Sequence, residues 1–270
     1  MRAGMGQAEV WRTFVEPGRT WVVGAVHGEA ERLRRVHEEL GRQYRPGDRL
    51  VYAGNLMGYG PDVIGALNEV LLFRRALMAR CDADPNDIVL LRGAQEEMWR
   101  KLLQLHFAPD PANVLDWMLG RGMRASLSAY GLSAEAALDA ARDGRTALSR
   151  WTGHAADSMD DHDGHRSLMA HLLHAAVVAD NSLLVVNAGF DRGVSLDKQL
   201  DSFWWGGADF DTLTPEASGY RLVVRGATHG NPGVRFGRHT ATLDGGAGRG
   251  GGICAALFGP EGSTVQVVEA

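Results

Sequence analysis

Glycine and small polar residues directly follow five short apolar runs of the sequence, and several of these residues have side chains that bind ligands. The segments are 24–28, 54–55, 92–96, 187–189 and 226–229. In sheets connected by helical crossovers, ligands bind beyond the carboxyl ends of the strands. Any one of these segments is explained by tight-turn chemistry. The five together predict one shared site.

Short apolar runs alternate with helical patterns and would position these segments. Strands are predicted at 21–23, 50–53 and 87–91, with helices at 29–40, at 62–80 and from about 95. This alternation is typical of βαβ units and a mostly parallel sheet. Later strands are predicted at 182–186, 221–225, 240–243, 253–258 and 264–268, the last three as a closing antiparallel meander. The sequence predicts a single α/β domain over 1–270, with a helical insertion at about 99–178.

Composition excludes several classes of function. The chain has 270 residues, is 45% hydrophobic and carries a net charge of −5, so no nucleic-acid surface is expected. No apolar run approaches the roughly 18 residues of a membrane span, so no membrane association is expected. The first eleven residues lack the apolar core of a signal peptide. Two cysteines, Cys81 and Cys254, suit a reducing compartment, which favours a cytoplasmic location.

In order and spacing, the strand-end segments resemble those of the calcineurin-like metallophosphoesterases, in the branch of serine/threonine phosphatases and diadenosine tetraphosphatases. The family pattern runs GDxHG, GDxxDRG, LRGNHE, VHAG and GHT. The matching stretches are GAVHG (24–28), GNLMGYG (54–60), LRGAQE (91–96), VNAGF (186–190) and GATHG (226–230). The resemblance covers nearly the whole chain. It implies a metallophosphoesterase-like αββα sandwich, in which two packed mixed β-sheets are flanked by helices.

The resemblance also implies where the family's two-metal chemistry would lie, and most of the required side chains are missing. Such sites activate water between two divalent ions, which need carboxylate and imidazole ligands. The family's metal-ligand positions fall on Ala25, His27, Asn55, Ala94, Asn187 and Ala227. The general-acid histidine falls on Gln95, and the Asp-Arg pair that follows the second segment falls on Gly58 and Tyr59. Because these positions bring no carboxylate, we expect no binuclear centre and no resident cofactor, and we assign no catalytic residue.

The polar residues retained at the strand ends predict a different kind of pocket. Asn and Gln offer both donors and acceptors, which suits a neutral or anionic ligand better than a cation. Tyr59 is expected to stack on a ring of the ligand. The predicted pocket residues are His27, Asn55, Tyr59, Arg92, Gln95, Glu96, Asn187, Arg225 and His229.

Three hypotheses of function follow. The leading one is a non-catalytic relative, a pseudoenzyme that acts as a ligand-binding or scaffold protein for a protein partner or a small phosphorylated ligand. The alternative is a metal-dependent phosphoesterase, either a phosphoprotein phosphatase or a dinucleoside polyphosphate hydrolase. It would use a rebuilt or single-metal site of Mn, Fe or Zn on His27, Asn55, Asn187 and His229. A third is a nucleotide or phosphopeptide sensor that uses Arg92, Arg225 and Tyr59.

Three further features of the sequence have simpler explanations than a second site. The stretch 154–174 is dense in aspartate and histidine, but a solvated loop is a better account of its Asp-rich part than a metal site. The glycine-rich stretch 246–251 is a turn rather than a dinucleotide fingerprint, because too little chain follows it. Trp99, Trp117 and Trp151 are expected in the core, whereas the pair Trp204-Trp205 is expected at an interface or as a pocket lid.

Overall fold

The computed structural model of the protein describes residues 10–199, 201–207, 209–230 and 233–270. The first half contains strands β1 (Trp11–Phe14), β2 (Thr20–Val23), β3 (Arg49–Tyr52) and β4 (Ile88–Leu90), and helices α1 (Ala30–Gln43), α2 (Val63–Cys81), α3 (Ala94–Leu102), α4 (Pro111–Met118) and α5 (Arg124–Ala129). The second half begins with helices α6 (Ala134–Arg142), α7 (Arg145–Asp160) and α8 (His165–Ala170). It continues with β5 (Ala175–Val178), β6 (Leu183–Val186), α9 (Ser202–Trp205), α10 (Pro215–Ser218), β7 (Leu222–Arg225), β8 (Arg235–Phe236), β9 (Thr240–Thr242), β10 (Cys254–Phe258) and β11 (Thr264–Glu269).

The strands form two mixed sheets that pack face to face. One sheet has the order β1-β5-β6-β7-β9-β8, and the other has the order β11-β10-β2-β3-β4. Apolar side chains from both sheets form a single buried cluster between them, which includes Val22, Val51, Val185 and Val224. This apolar layer between the sheets is the centre of the sandwich.

Successive side chains of a strand point alternately to the layer between the sheets and to the helices on the outer faces. In β2, Val22 points to the layer between the sheets, whereas Trp21 and Val23 belong to the cluster shared with α1 and α2. This is the two-residue period of a strand that is buried on both faces. On the outer face of the other sheet, Val223 packs with Phe203 and other aromatic residues that follow β6. The architecture is the predicted αββα sandwich.

Two predictions about the elements are wrong. The closing meander does not form, because β9 pairs in parallel with β7, whereas β10 lies between β11 and β2 in the opposite sheet. The range predicted as helical up to 178 ends in a strand, because 175–178 forms β5 between β1 and β6. All four residues of β5 are buried. A buried apolar run this short has no periodicity that separates strand from helix.

Parallel pairing brings the carboxyl ends of the central strands to one edge of the sandwich. Strands β2, β3 and β4 are parallel in one sheet, and β6, β7 and β9 are parallel in the other. Backbone hydrogen bonds then join the loops across the two sheets, and the N–H of Ala25 donates to the carbonyl oxygen of Gly226 at 3.0 Å. The five segments singled out in the sequence therefore meet.

The helices of the described ranges include none with both the length and the apolar character needed to span a bilayer.

Candidate functional site

A cavity of about 660 Å³ opens where the strand ends meet, and we call it the strand-end cavity. Five of the nine predicted pocket residues line it: His27, Asn55, Tyr59, Gln95 and His229. The other lining residues are Ala94, Met98, Trp117, Gly120, Arg121, Trp205, Thr228 and Arg249. These five predicted residues therefore converge, and Trp205, expected at an interface or as a lid, joins them. Arg121 and Arg249 are lining residues that the sequence analysis did not indicate.

The floor of the cavity is made of buried amides. The side-chain oxygen of Asn55 accepts a hydrogen bond from the backbone N–H of Gln95 at 3.1 Å. The side-chain Nε2 of Gln95 donates to the carbonyl oxygen of Arg121 at 2.7 Å. Within the described chain, the Oε1 atom of Gln95 is buried and has no hydrogen-bond partner. The resemblance placed Gln95 at the general-acid position; in the structure its amide group holds the backbone that carries Arg121.

Glu96 holds the loops beneath this floor. It is fully buried, and its carboxylate accepts hydrogen bonds from the backbone N–H groups of Asn55 (2.9 Å), Met57 (3.0 Å) and Gly93 (2.8 Å). Burial raises the pKa of Glu96, and the three N–H donors act in the opposite direction. Glu96 therefore positions Asn55 and is not itself in the cavity.

Three cavity residues have a strained backbone. His27, Asn55 and Tyr59 have φ angles of +49°, +55° and +48°, in the left-handed region that costs a residue with a side chain about 1–3 kcal/mol. Among the described non-glycine residues, the others with positive φ are Asp82 and Asn181. Strained residues concentrate at sites where surrounding structure holds a side chain in a required direction. Their clustering here makes the strand-end cavity the candidate functional site.

His27 is a neutral residue of the cavity wall. Burial, with a contribution from the nearby Arg249 guanidinium, lowers its pKa to about 4. Its Nδ1 lies 3.2 Å from the carbonyl oxygen of Met57, so the ring proton is assigned to Nδ1. Nε2 is then an acceptor at neutral pH, and His27 brings no positive charge to the cavity.

The rim combines arginine with aromatic rings. The guanidinium of Arg121 lies 4.3 Å from the ring centroid of Trp117, and that of Arg249 lies 4.6 Å from the ring of Tyr59. Trp205 stacks on His229 with centroids 5.3 Å apart. No described residue that lines the cavity is Asp or Glu. The buried carboxylate of Asp244 lies behind this lining, where it accepts hydrogen bonds from the N–H and hydroxyl of Thr228. The lining itself brings two cations, each beside a flat aromatic surface.

A kink in the chain turns Arg121 toward the cavity. Between α4 and α5, the segment Leu119–Met123 contains two residues with non-helical backbone angles, Arg121 and Gly122. Gly122 has φ +97°, and a Cβ atom there would lie 2.9 Å from the ring of Tyr59. Glycine is thus required both by the backbone and by the close approach. Helix irregularities of this kind are frequent at functional sites.

Four predicted pocket residues lie outside the cavity lining. Glu96 is one, and Asn187 is another, since it is fully buried and its amide joins the carbonyl oxygen of Ala53 to the N–H of Ala94. Arg92 contacts the buried Glu97 at 3.4 Å. Arg225 bonds to Thr242, Gly207 and Asp211 and lies over the ring of Phe210. These side chains hold the loops together and do not face the site.

The two arginines that do face the cavity were not predicted from the sequence. Arg121 lies in the range predicted as a helical insertion, where no site was expected. Arg249 lies in a stretch that was interpreted only as a glycine-rich turn. A signal was present, because both arginines are flanked by glycine on each side, at 120–122 and 248–250. A long cationic side chain between two flexible residues is free to reach into a neighbouring cavity.

The structure agrees with some of the predictions for the tryptophans and contradicts one. Trp99 is buried in the core as expected, and Trp151 is half-buried against it. Trp117 was expected in the core but is 40% exposed at the cavity rim, so that prediction is wrong. Trp205 lines the cavity, as expected for a lid or interface residue, while Trp204 is buried and donates its Nε1–H to the carbonyl oxygen of Arg92.

The stretch 154–174 is more ordered than the predicted loop. It contains the end of α7 and all of α8, joined by a short turn at 161–164. His165 is fully buried, with its ring nitrogens near the hydroxyl of Tyr130 (2.8 Å) and the side-chain oxygen of Asn68 (3.2 Å). Across the described ranges, no group of three or more His, Cys, Asp or Glu side chains has an arrangement that could hold a metal ion.

The residues that the resemblance places at the metal-ligand positions do not fit a pair of divalent ions. Three of the six positions are alanine and have no donor atom. The oxygen of Asn55 is engaged by the N–H of Gln95, and the oxygen of Asn187 by the N–H of Ala94. His27 remains as one imidazole, and a single neutral ligand does not offset the charge of two dications. This set of donors therefore does not support two-metal hydrolysis.

Comparison with known proteins supports the fold. No family model matches the chain, and no curated protein matches it in sequence. A solved protein assigned as a diadenosine tetraphosphatase has 19% identity and a TM-score of 0.53, over 97% of this chain and 99% of that chain. A serine/threonine phosphatase from Saccharomyces cerevisiae has 16% identity and a TM-score of 0.49, over 92% of this chain and 76% of its own. A metallophosphoesterase from Sphaerobacter thermophilus has 16% identity and a TM-score of 0.43, over 94% and 88%.

The first of these similarities defines the class of fold. At this identity, a match over nearly the whole length of both chains establishes the fold and says nothing of activity. The resemblance to the calcineurin-like metallophosphoesterases, expected from the strand-end segments, is confirmed as a likeness of fold. What the site does has to be argued from its own residues.

Stability is expected to fall in acid because of His27. Its folded pKa of about 4 lies below the ordinary value of 6.5, so protonation favours the unfolded chain. The contribution is present above pH 6.5 and is lost as the pH falls toward 4, by roughly 2–3 kcal/mol. Thermal unfolding at pH 7.5 and pH 4.5 measures it. His27→Asn, which tolerates positive φ, should show a smaller difference between the two pH values than the parent chain. An equal difference would contradict the assignment.

Proposed function

We propose that this protein is a non-catalytic member of the metallophosphoesterase fold class that binds a small phosphorylated ligand in the strand-end cavity. The observation that carries the proposal is the charge of the lining, which has two arginines and, within the described residues, no carboxylate. Metal-dependent phosphoesterases need the opposite arrangement, with carboxylates around divalent ions. Arginine binds phosphate directly through paired N–H donors.

The rest of the cavity supports a ligand with a ring beside its phosphate. Arg121 lies on Trp117 and Arg249 lies on Tyr59, so each cation has a flat aromatic surface next to it. The neutral groups of His27, Asn55 and Gln95 supply hydrogen bonds at the floor. An aryl phosphate such as phenyl phosphate combines these features in a small probe.

The alternative is a metal-dependent phosphoesterase with a rebuilt or single-metal site. It is favoured by one observation, that His27, His229 and Asn55 line the same cavity. Against it, the Nε2 of His229 lies 2.5 Å from the carbonyl oxygen of Trp204 and is therefore engaged in a hydrogen bond.

A metal count separates the two candidates. The chain, purified without a histidine tag from Mn-supplemented growth and dialysed, should hold well under one metal ion per molecule by mass spectrometry. Phenyl phosphate should bind in calorimetry with the same affinity in the presence and absence of EDTA, and should not be hydrolysed. Two metal ions that survive dialysis, or turnover that EDTA abolishes, would establish the phosphoesterase instead.

A further inference from the structure

Strand β11 lies at an open edge of its sheet. It pairs with β10 on one side, and within the described residues no strand pairs with its other side. The other described edge strands, β1, β4 and β8, have only four, three and two residues. β11 has six residues, and none of them is Lys, Arg or Pro. Short length, basic side chains and proline usually keep an edge strand from pairing with another chain, and β11 has none of these protections.

The backbone of β11 presents hydrogen-bonding groups to the open edge. Ile253 and Ala270 exchange both of their N–H···O bonds, at 2.8 and 3.0 Å. In an antiparallel ladder such pairs alternate with pairs that are not hydrogen-bonded. The groups of Gln266 therefore point toward β10, whereas the N–H and carbonyl groups of Val267 and Glu269 point away from it. A further strand could accept and donate hydrogen bonds there.

Two exposed valines lie beside these groups. Val265 is 57% exposed and Val267 is 40% exposed, and side chains two positions apart lie on the same face of a strand. Val268, on the opposite face, is buried in the core that the sheet shares with its helices. The register shift of the β10–β11 pair, opposite Phe258, is confined to the first residues of β11. Backbone groups and valines together fit an added strand, which the first would bond and the second would pack against.

We propose that the added strand is β11 of a second copy of this chain, paired antiparallel about a two-fold axis at Gln266. In this register Val265 of each copy lies opposite the partner's Val267, so all four exposed valines meet on one face. Glu269 lies opposite the partner's Ser263, so the two carboxylates stay apart. Moving the axis by one residue, to Val267, would place each Val265 opposite a glutamate. The segment is self-complementary in the first register, and no second kind of chain is needed to complete it.

The size of this interface sets its expected strength. Six paired residues span about 20 Å, and one such strand pair buries well under the roughly 1,600 Å² of a standard interface. We therefore expect a reversible dimer with a dissociation constant of roughly 10–100 µM. No residue of β11 lines the strand-end cavity, so this proposal does not depend on the phosphate site.

Sedimentation equilibrium of the full chain, from about 5 µM to 500 µM, measures the dimer. Val267→Pro removes an N–H that points to the partner, at an edge position where proline is tolerated. Each dimer then loses two hydrogen bonds, and its dissociation constant should rise by about tenfold or more. Val267→Lys should have a similar effect through its charge. Val194→Lys is the matched control, because Val194 is also 40% exposed but lies outside β11, and it should leave the dimer unchanged.

A cysteine at the axis tests the register. The background is Cys81→Ser, in which the remaining Cys254 is buried. Gln266→Cys should form a disulfide between two copies under mild oxidation, because facing residues of a pair without hydrogen bonds have Cα atoms about 4.5 Å apart. Val267→Cys is the control: its counterpart in the second copy is two residues out of register, so this variant should cross-link far less.

Thermal unfolding identifies any variant that has lost its structure, and if Val267→Pro is unfolded, Val267→Lys decides. A chain that is monomeric up to about 500 µM would overturn the proposal and leave the edge to a strand of a different protein. A dimer that folded Val267→Pro and Val267→Lys variants retain at full strength would place the interface elsewhere. Equal cross-linking of Gln266→Cys and Val267→Cys would contradict the two-fold axis at Gln266.

Discussion

Glu96→Ala is expected to lower the free energy of unfolding by roughly 3–6 kcal/mol, the largest loss from any single change at the site. The reason is that one buried carboxylate accepts three backbone N–H groups, from Asn55, Met57 and Gly93. Alanine leaves all three donors buried without partners, and each costs about 1–3 kcal/mol. Denaturant unfolding at pH 7.5 measures the change as a shift of the midpoint.

Glu96→Gln is the matched variant. It preserves size and shape and keeps one acceptor oxygen, but its amide NH₂ replaces the other acceptor and faces a backbone donor. We expect the free energy of unfolding of Glu96→Gln to lie between that of the parent chain and that of Glu96→Ala. The exposed ion pair between Glu135 on α6 and Arg124 on α5 gives the background, since Glu135→Ala should leave the free energy of unfolding almost unchanged. If Glu96→Ala costs no more than Glu135→Ala, Glu96 does not hold the strand-end loops.

The resemblance of the strand-end segments predicted the sandwich, and local patterns predicted which residues meet where its strands end. Strands such as β2 (TWVV) and β3 (RLVY) are short and mostly apolar, a glycine follows each within two residues, and a helix separates them, so parallel pairing was the natural consequence. Once the strands are parallel, His27, Asn55 and Gln95 must come together at their carboxyl ends. These positions were predictable because local patterns determine them.

Long-range features were not predictable in the same way. Whether β9 pairs with β7 or with β10 depends on which sheet has a free edge. The local sequence pattern of 240–258 does not determine this pairing. The position of Arg121 depends on a kink that fits Gly122 against Tyr59, more than sixty residues away in the chain. Arg92 and Arg225 were candidate anion ligands in the sequence, but in the structure Arg92 pairs with the buried Glu97, and Arg225 bonds to Thr242 and Gly207. Only the assembled fold distinguishes these cases.

The residues at the strand ends explain how the same fold can carry either a negatively charged or a positively charged site. In the arrangement that the resemblance implies, carboxylates bind metal and the metal binds phosphate. Here the carboxylate positions carry alanine and asparagine, and arginines from two loops, at 121 and 249, reach the space above them. The positive charge that a phosphate needs would then come from guanidinium groups, which supply binding without the activated water of a metal centre.

Arg121→Ala and Arg249→Ala are each expected to weaken phenyl phosphate binding by about tenfold, and the double variant by about a hundredfold. Each arginine contributes a charge-assisted hydrogen bond to the phosphate, and both lie at a partly solvated rim, which places the effect at the lower end for such bonds. Affinity should also fall as salt is raised from about 50 mM to 500 mM, because screening weakens exposed charges. Calorimetry on the folded variants measures both effects.

Two comparisons make this prediction specific to the strand-end cavity. Arg124→Ala removes an arginine that is 57% exposed on the adjacent helix α5, where it pairs with Glu135 and does not line the cavity, so the affinity of this variant should stay within about twofold of the parent chain. Arg121→Lys and Arg249→Lys keep the charge but lose the paired N–H donors, and each should recover part of the affinity lost in the alanine variant. If Arg124→Ala weakens binding as much as Arg121→Ala, the attraction comes from the overall charge of the chain. If the double variant binds as well as the parent chain, the phosphate lies elsewhere.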